Sequence, residues 1–137
     1  MDENVGYPYF DWLTERNKCT ALKMFIHLQD DVEKDLAAAK KAFKDSREKK
    51  FTLKKDADRF SVYEEVIPPR RVSFLLSDTN TEISVEDEKG EVKFVATLTL
   101  NKDKKCMFVV EGEELESWQL RRKALEALFF SPRPSRS

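Results

Sequence analysis

The sequence predicts an α+β domain in which a long N-terminal helix precedes a five-stranded antiparallel β-meander and a C-terminal helix packs on the sheet. Two changes of periodicity predict this order. Apolar residues recur every three or four positions in the N-terminal third, at every second position from residue 59, and at helical spacing again after Gly112. Short turns join the alternating segments, and strands joined in this way pair antiparallel.

The size of the chain favours one domain. At 137 residues it can bury its own core. We expect residues 1–130 to form this domain, beginning with an extended arm over residues 1–10. The segment 131–137 is rich in Pro, Arg and Ser, so it is expected to be a disordered basic tail. The formal net charge is −1, and this balance favours neither nucleic acid nor a membrane surface.

The N-terminal helix is predicted over residues 20–48, after a short helical turn over 11–18 that begins at Asp11 or Thr14. Before Asp30 the helix is apolar on almost all sides. Beyond Asp30 only a narrow stripe remains, and this half is expected to cross a surface or extend toward a second subunit. The stripe residues are three or four positions apart: Phe25, Leu28, Val32, Leu36, Ala39 and Phe43.

The remaining elements follow the same patterns. Residues 44–59 are charged and are interpreted as a connector. Gly90 is expected in a hairpin turn. The C-terminal helix runs from 115 or 117 to 130, and Arg121 near the middle of its apolar arc is expected to pair with a carboxylate. The five strands are predicted at 59–67, 70–77, 81–88, 92–100 and 105–110, and the apolar arc comprises Trp118, Leu120, Ala124, Leu125, Ala127, Leu128 and Phe129.

The two cysteines, Cys19 and Cys106, lie far apart in the sequence and form no CxxC motif. The N-terminus lacks the apolar region of a secretory signal, and no apolar run reaches the roughly 20 residues of a membrane span. We therefore expect free thiols, a cytoplasmic location and no membrane partner, with a disulfide between the two cysteines as the alternative.

The only histidine has carboxylates at helical spacing. His27, Asp30 and Asp31 are neighbours on a helix, as in half of a metal site or in an acid–base pair. However, His27 points about 140° from the apolar stripe, at ~100° per residue, so a solvated side chain is expected. Because no catalytic or phosphate-binding motif occurs, we predict no catalytic residue, metal or cofactor.

The predicted function is therefore non-enzymatic: a small protein-interaction or homodimerising module. It would bind another protein or a second copy through the narrow stripe of the helix and an apolar patch on the outer sheet face. The candidate interface residues are Val32, Leu36, Phe43, Leu75, Val95 and Met107.

Two alternatives remain open. Residues 40–59 contain nine Lys or Arg against four Asp or Glu, and with the tail they indicate a nucleic-acid-binding module. The outward positions of the second, third and fourth predicted strands lack stacking aromatics, however, and the third strand is acidic. The second alternative is a small-ligand domain with a pocket between helix and sheet. The candidate anion-contact residues are Lys49, Lys50, Lys54, Lys55, Arg70 and Arg71.

The order of elements has parallels in known folds. A meander followed by a covering helix resembles Whirly-type and PUR-repeat nucleic-acid binders, and a helix followed by a meander resembles cystatin-like folds. The resemblance covers element order alone, since none of the motifs of these families occurs in the sequence.

Overall fold

The fold is known from a computed structural model that describes residues 9–43 and 50–130. It confirms the α+β class, with seven strands where five are predicted. The predicted arm up to residue 8, the connector residues 44–49 and the tail 131–137 lie outside the described residues. The elements are α1 (Trp12–Lys18), α2 (Ala21–Ala42), β1 (Phe51–Lys55), β2 (Arg59–Glu64), β3 (Arg70–Leu76), β4 (Ile83–Glu86), β5 (Val92–Leu100), β6 (Cys106–Val110), β7 (Glu113–Leu115) and α3 (Ser117–Phe130).

The seven strands form one antiparallel meander in chain order. Alternation sends one set of side chains toward the helices, with Phe60 opposite Phe74 and Val85 opposite Phe94. These side chains are buried with the apolar faces of α2 and α3 in a single core. The two long helices therefore cover the same face of the sheet.

Both new strands lie at the edges of the sheet. β1 pairs with β2, and β7 pairs with β6. The prediction of a charged connector was wrong for residues 51–55, because Phe51 and Leu53 point to the core while lysines occupy the exposed edge. Charged residues are typical of edge strands, since they discourage pairing with other chains.

The start of α1 agrees with one of its two predicted caps, Asp11, and α2 begins where the sequence predicts. The Asp11 side chain accepts the amide of Thr14 at the start of α1, and Thr20 accepts the amide of Lys23 at the start of α2. The Thr14 hydroxyl also donates to Asp11, and these bonds lower the pKa of that carboxyl below its ordinary value. Gly90 has a φ of +79°, which confirms the predicted turn.

The expectation of free thiols was wrong, because Cys19 and Cys106 form a disulfide. Their Cα atoms are 5.3 Å apart, although 87 positions separate them in the chain. Cys106 begins β6 opposite Leu100, and Cys19 lies between α1 and α2. The bond thus joins the start of α2 to the end of a sheet hairpin. The cytoplasmic location stays a prediction.

Candidate functional site

A groove runs between the second half of α2 and the length of α3, with a volume of about 500 Å³. We call it the helix groove. Its floor is apolar and consists of Ala39, Leu125 and Phe129, which are buried. The exposed alanines Ala38 and Ala42 form part of the α2 wall. Small residues on this wall leave room for another backbone or ring to approach.

Polar contacts fix the two helices side by side at one end of the groove. The Ser117 hydroxyl donates to Asp31 at 3.0 Å, and one turn further Arg121 pairs with Asp35 at 2.6 Å. Arg121 also donates to the Ser117 carbonyl. Contacts therefore advance along both helices in the same direction, so α2 and α3 are parallel. The predicted pairing of Arg121 with a carboxylate is confirmed.

An aromatic cluster closes the other end. The ring centroids of Phe43 and Phe130 are 5.8 Å apart, and those of Phe51 and Phe129 are 4.8 Å apart. Phe43 also lies 6.2 Å from Phe51, so the cluster joins α2, β1 and α3. This packing holds the last turns of both helices against the sheet edge. It also presents the ring of Phe130 at the mouth of the groove.

Two large aromatic side chains of α3 line the groove and remain exposed. Trp118 is 51% exposed and Phe130 is 69% exposed. The prediction that Trp118 is buried in the arc was wrong, and so was that for Ala127, which is exposed. On a helical wheel Trp118 points in nearly the direction of Leu125. α2 and the sheet cover Leu125, whereas the Trp118 ring reaches the groove mouth.

The charged residues of the groove interact with one another. Arg122 pairs with Glu126 at 3.2 Å on the exposed side of α3, while Arg121 pairs with Asp35 across the groove. The result is an apolar floor with a rim of opposite charges. This combination is typical of protein-binding surfaces, where a dry centre is surrounded by a polar border.

The predicted helix stripe divides between the core and the groove. Val32 and Leu36 are buried against the sheet of their own chain, so the expectation that they face a partner was wrong. A narrow stripe is what a helix needs in order to pack on a sheet face. Phe43 is half-buried and does line the groove.

The predicted patch on the outer sheet face is interrupted. Leu75 and Val95 lie in one row across the strands with Ser84 between them. Met107 is buried and sits opposite Thr99, four residues along β5 from Val95. The three apolar side chains therefore do not form a continuous surface.

Two of the four lysines proposed for anion contact, Lys54 and Lys55, lie in the edge strand β1. Lys49 falls outside the described residues, and Lys50 is exposed just before β1. Lys54 lies over the ring of Tyr63, with its ammonium 5.2 Å from the ring centroid. Lys55 pairs with Glu33 of α2. Two of these cations are thus already in contact with groups of their own chain.

The two arginines proposed for anion contact also make internal contacts. Arg70 pairs with the buried Glu64 at 3.1 Å and donates to the Ala127 carbonyl at 2.8 Å. Arg71 donates to the Asp87 carbonyl at 3.2 Å. Both guanidinium groups are thus already bonded to groups of their own chain, and because neighbouring residues of a strand point to opposite faces, Arg70 and Arg71 do not share one surface.

His27 is exposed, as the wheel predicts. Asp30 is exposed beside it, whereas Asp31 is occupied by Ser117. Within residues 9–43 and 50–130, no three His, Cys, Asp or Glu side chains are arranged to hold a metal ion. In the same two segments, no helix combines the length and apolar character needed to cross a membrane.

Comparison with models of protein families, with curated proteins and with solved structures finds no match for this chain. The helix groove is therefore the feature from which a function is inferred. Sequence reasoning identified one lining residue as a contact, Phe43, and it missed Trp118, Phe130 and the two alanines. The exposure of these residues depends on how two helices distant in sequence lie together.

Proposed function

We propose that this chain is a non-enzymatic protein-interaction module and that the helix groove receives the partner. The observation that carries the proposal is an apolar groove of about 500 Å³ with an exposed aromatic ring at each end, Trp118 and Phe130. Aromatic side chains in such positions supply much of the binding free energy of protein interfaces.

The shape of the groove favours an α-helix as the docked element. Two parallel helices form its walls, and a third helix can lie along them with its apolar face toward Leu125 and Phe129. The alanines of α2 permit close approach of the incoming backbone. The rim charges would lie at the border of the interface, where they contribute to the choice of partner.

Photo-cross-linking tests the proposal. Ala38 is replaced by p-benzoylphenylalanine, and the chain is irradiated in the cells that express it. We expect a covalent protein adduct that disappears when Trp118→Ala is added, because this ring borders the groove. The matched control is Trp12→Ala, which removes a similarly exposed indole from α1 and should leave the adduct intact.

A second photo-reactive position provides the background. Thr97 is exposed on the outer sheet face and outside the helix groove, and p-benzoylphenylalanine at that position should give no adduct of the same mass. The absence of any adduct from position 38 would contradict the proposal. So would an adduct that forms equally from both positions and persists in the Trp118→Ala variant.

A further inference from the structure

Four exposed side chains form a row along α3 at the groove. The order of residue types in this row is nearly symmetric: an aromatic residue at each end and two charged residues between them. Trp118, Arg122, Glu126 and Phe130 follow one another at intervals of four residues. An aromatic ring stands at each end, and a pair of opposite charges stands between them. At ~1.5 Å per residue the row is about 18 Å long.

This order makes the row complementary to itself. We propose that the partner in the helix groove is a second copy of this chain, with the two α3 helices antiparallel about a two-fold axis at the level of residue 124. Trp118 then meets the partner's Phe130, and Arg122 meets the partner's Glu126. The inference rests on the proposed function and adds the identity and register of the partner.

Charge complementarity favours this register over its neighbours. A pairing centred on residue 122 would set Arg122 against the partner's Arg122, and one centred on residue 126 would set two Glu126 carboxylates together. Only a centre midway between them gives two attractive contacts and no repulsive one. The formal net charge of −1 adds little long-range repulsion between copies.

A two-fold interface also explains why groove and projecting rings occur together. In such an interface each copy presents an identical patch, so the same surface must contain both the projecting side chains and the groove that accommodates those of the other copy. Here the groove between α2 and α3 can accommodate side chains of the other copy, and the rings of Trp118 and Phe130 project beside it. Ridges of residues four apart also pack well between crossing helices.

Charge reversal tests the register. Arg122→Glu and Glu126→Arg each place like charges together at both contacts of a homodimer, so each should raise the dimer dissociation constant about tenfold in sedimentation equilibrium. An equimolar mixture of the two variants should recover the original affinity as a heterodimer, because every contact again joins opposite charges. The double variant Arg122→Glu/Glu126→Arg should recover it as a homodimer.

Three further variants complete the test. Trp118→Ala should raise the dissociation constant at least tenfold, whereas Trp12→Ala should leave it unchanged. Lys55→Glu, which reverses a charge outside the groove, should also leave it unchanged. Far-UV circular dichroism verifies that each variant is folded. A chain that stays monomeric, or a dimer that responds to neither charge reversal nor mixing, overturns the inference.

The failure of this inference can be distinguished from the failure of the proposed function. If the purified chain is monomeric and its position 38 cross-links to a different protein, the inference that the partner is a second copy is overturned. The proposal of an interaction module is then supported. A dimer that is insensitive to all groove variants, with no adduct from position 38, overturns both. An adduct between two copies of this chain, lost in Trp118→Ala, supports both.

Discussion

At the scale of single residues, Arg70 connects the sheet to the helix layer. It begins β3 directly after Pro68 and Pro69, opposite Glu64 at the end of β2. The carboxylate is fully buried, and the guanidinium bonds to it and to the Ala127 carbonyl of α3. Taking a carboxylate out of water is costly unless a cation and hydrogen bonds accompany it. The position of Arg70 is therefore better explained by folding than by anion binding.

Replacing Arg70 tests this interpretation. Arg70→Met removes the cation beside the buried Glu64, and we expect the free energy of unfolding to fall by about 3 kcal/mol. The control is Lys55→Met, which breaks the exposed pair with Glu33 and should cost under ~1 kcal/mol. Urea denaturation monitored by circular dichroism measures both. A loss of stability in Arg70→Met no larger than that in Lys55→Met would contradict the interpretation.

At the scale of elements, β1 is an edge strand that the sequence pattern did not predict. Its five residues contain two apolar side chains, Phe51 and Leu53, within a run of lysines. Two alternating apolar residues are too few to separate a strand from a charged loop. The strand forms because β2 offers a free edge and because Phe51 reaches the aromatic cluster. Both causes are tertiary.

Truncation of Phe51 tests the importance of this edge strand. The Phe51→Ala variant leaves a cavity between Phe43 and Phe129, so we expect the free energy of unfolding to fall by about 3–5 kcal/mol. Phe130→Ala is the matched control, because the same ring is largely exposed in the same cluster, and it should cost under ~1 kcal/mol. Both are measured in urea at concentrations where the chain is monomeric. Equal losses would show that β1 does not anchor the cluster.

The central meander and both long helices, in contrast, follow from local pattern. Alternation over residues 70–77 and 92–100 identifies β3 and β5 almost to their ends, and helical spacing identifies α2 and α3. The helix groove could not be predicted in this way. The wheel gives Trp118 and Leu125 nearly the same direction, and only the parallel placement of α2 beside α3 buries one and exposes the other.

At the scale of the whole molecule, one disulfide joins the start of α2 to the start of β6. Cys19 precedes α2 and Cys106 begins β6, so the closed loop contains α2 and the strands β1 to β5. Sequence spacing does not indicate this pairing, because the cysteines come together only when the start of α2 meets the end of the β5–β6 hairpin. Closing a loop of this length removes much of the freedom of the unfolded chain.

Reduction of the disulfide should therefore lower the free energy of unfolding by about 2–4 kcal/mol, because the unfolded chain regains the entropy of the open loop. Urea denaturation of the same chain with and without a phosphine reductant measures the difference. The control is the Cys19→Ser/Cys106→Ser variant, whose stability should match the reduced chain and should not respond to the reductant. Two titratable thiols in the unreduced unfolded chain, together with equal denaturation midpoints, would contradict the bond. If the proposed dimer forms, its persistence in the Ser variant would show that the helix groove binds its partner independently of the disulfide.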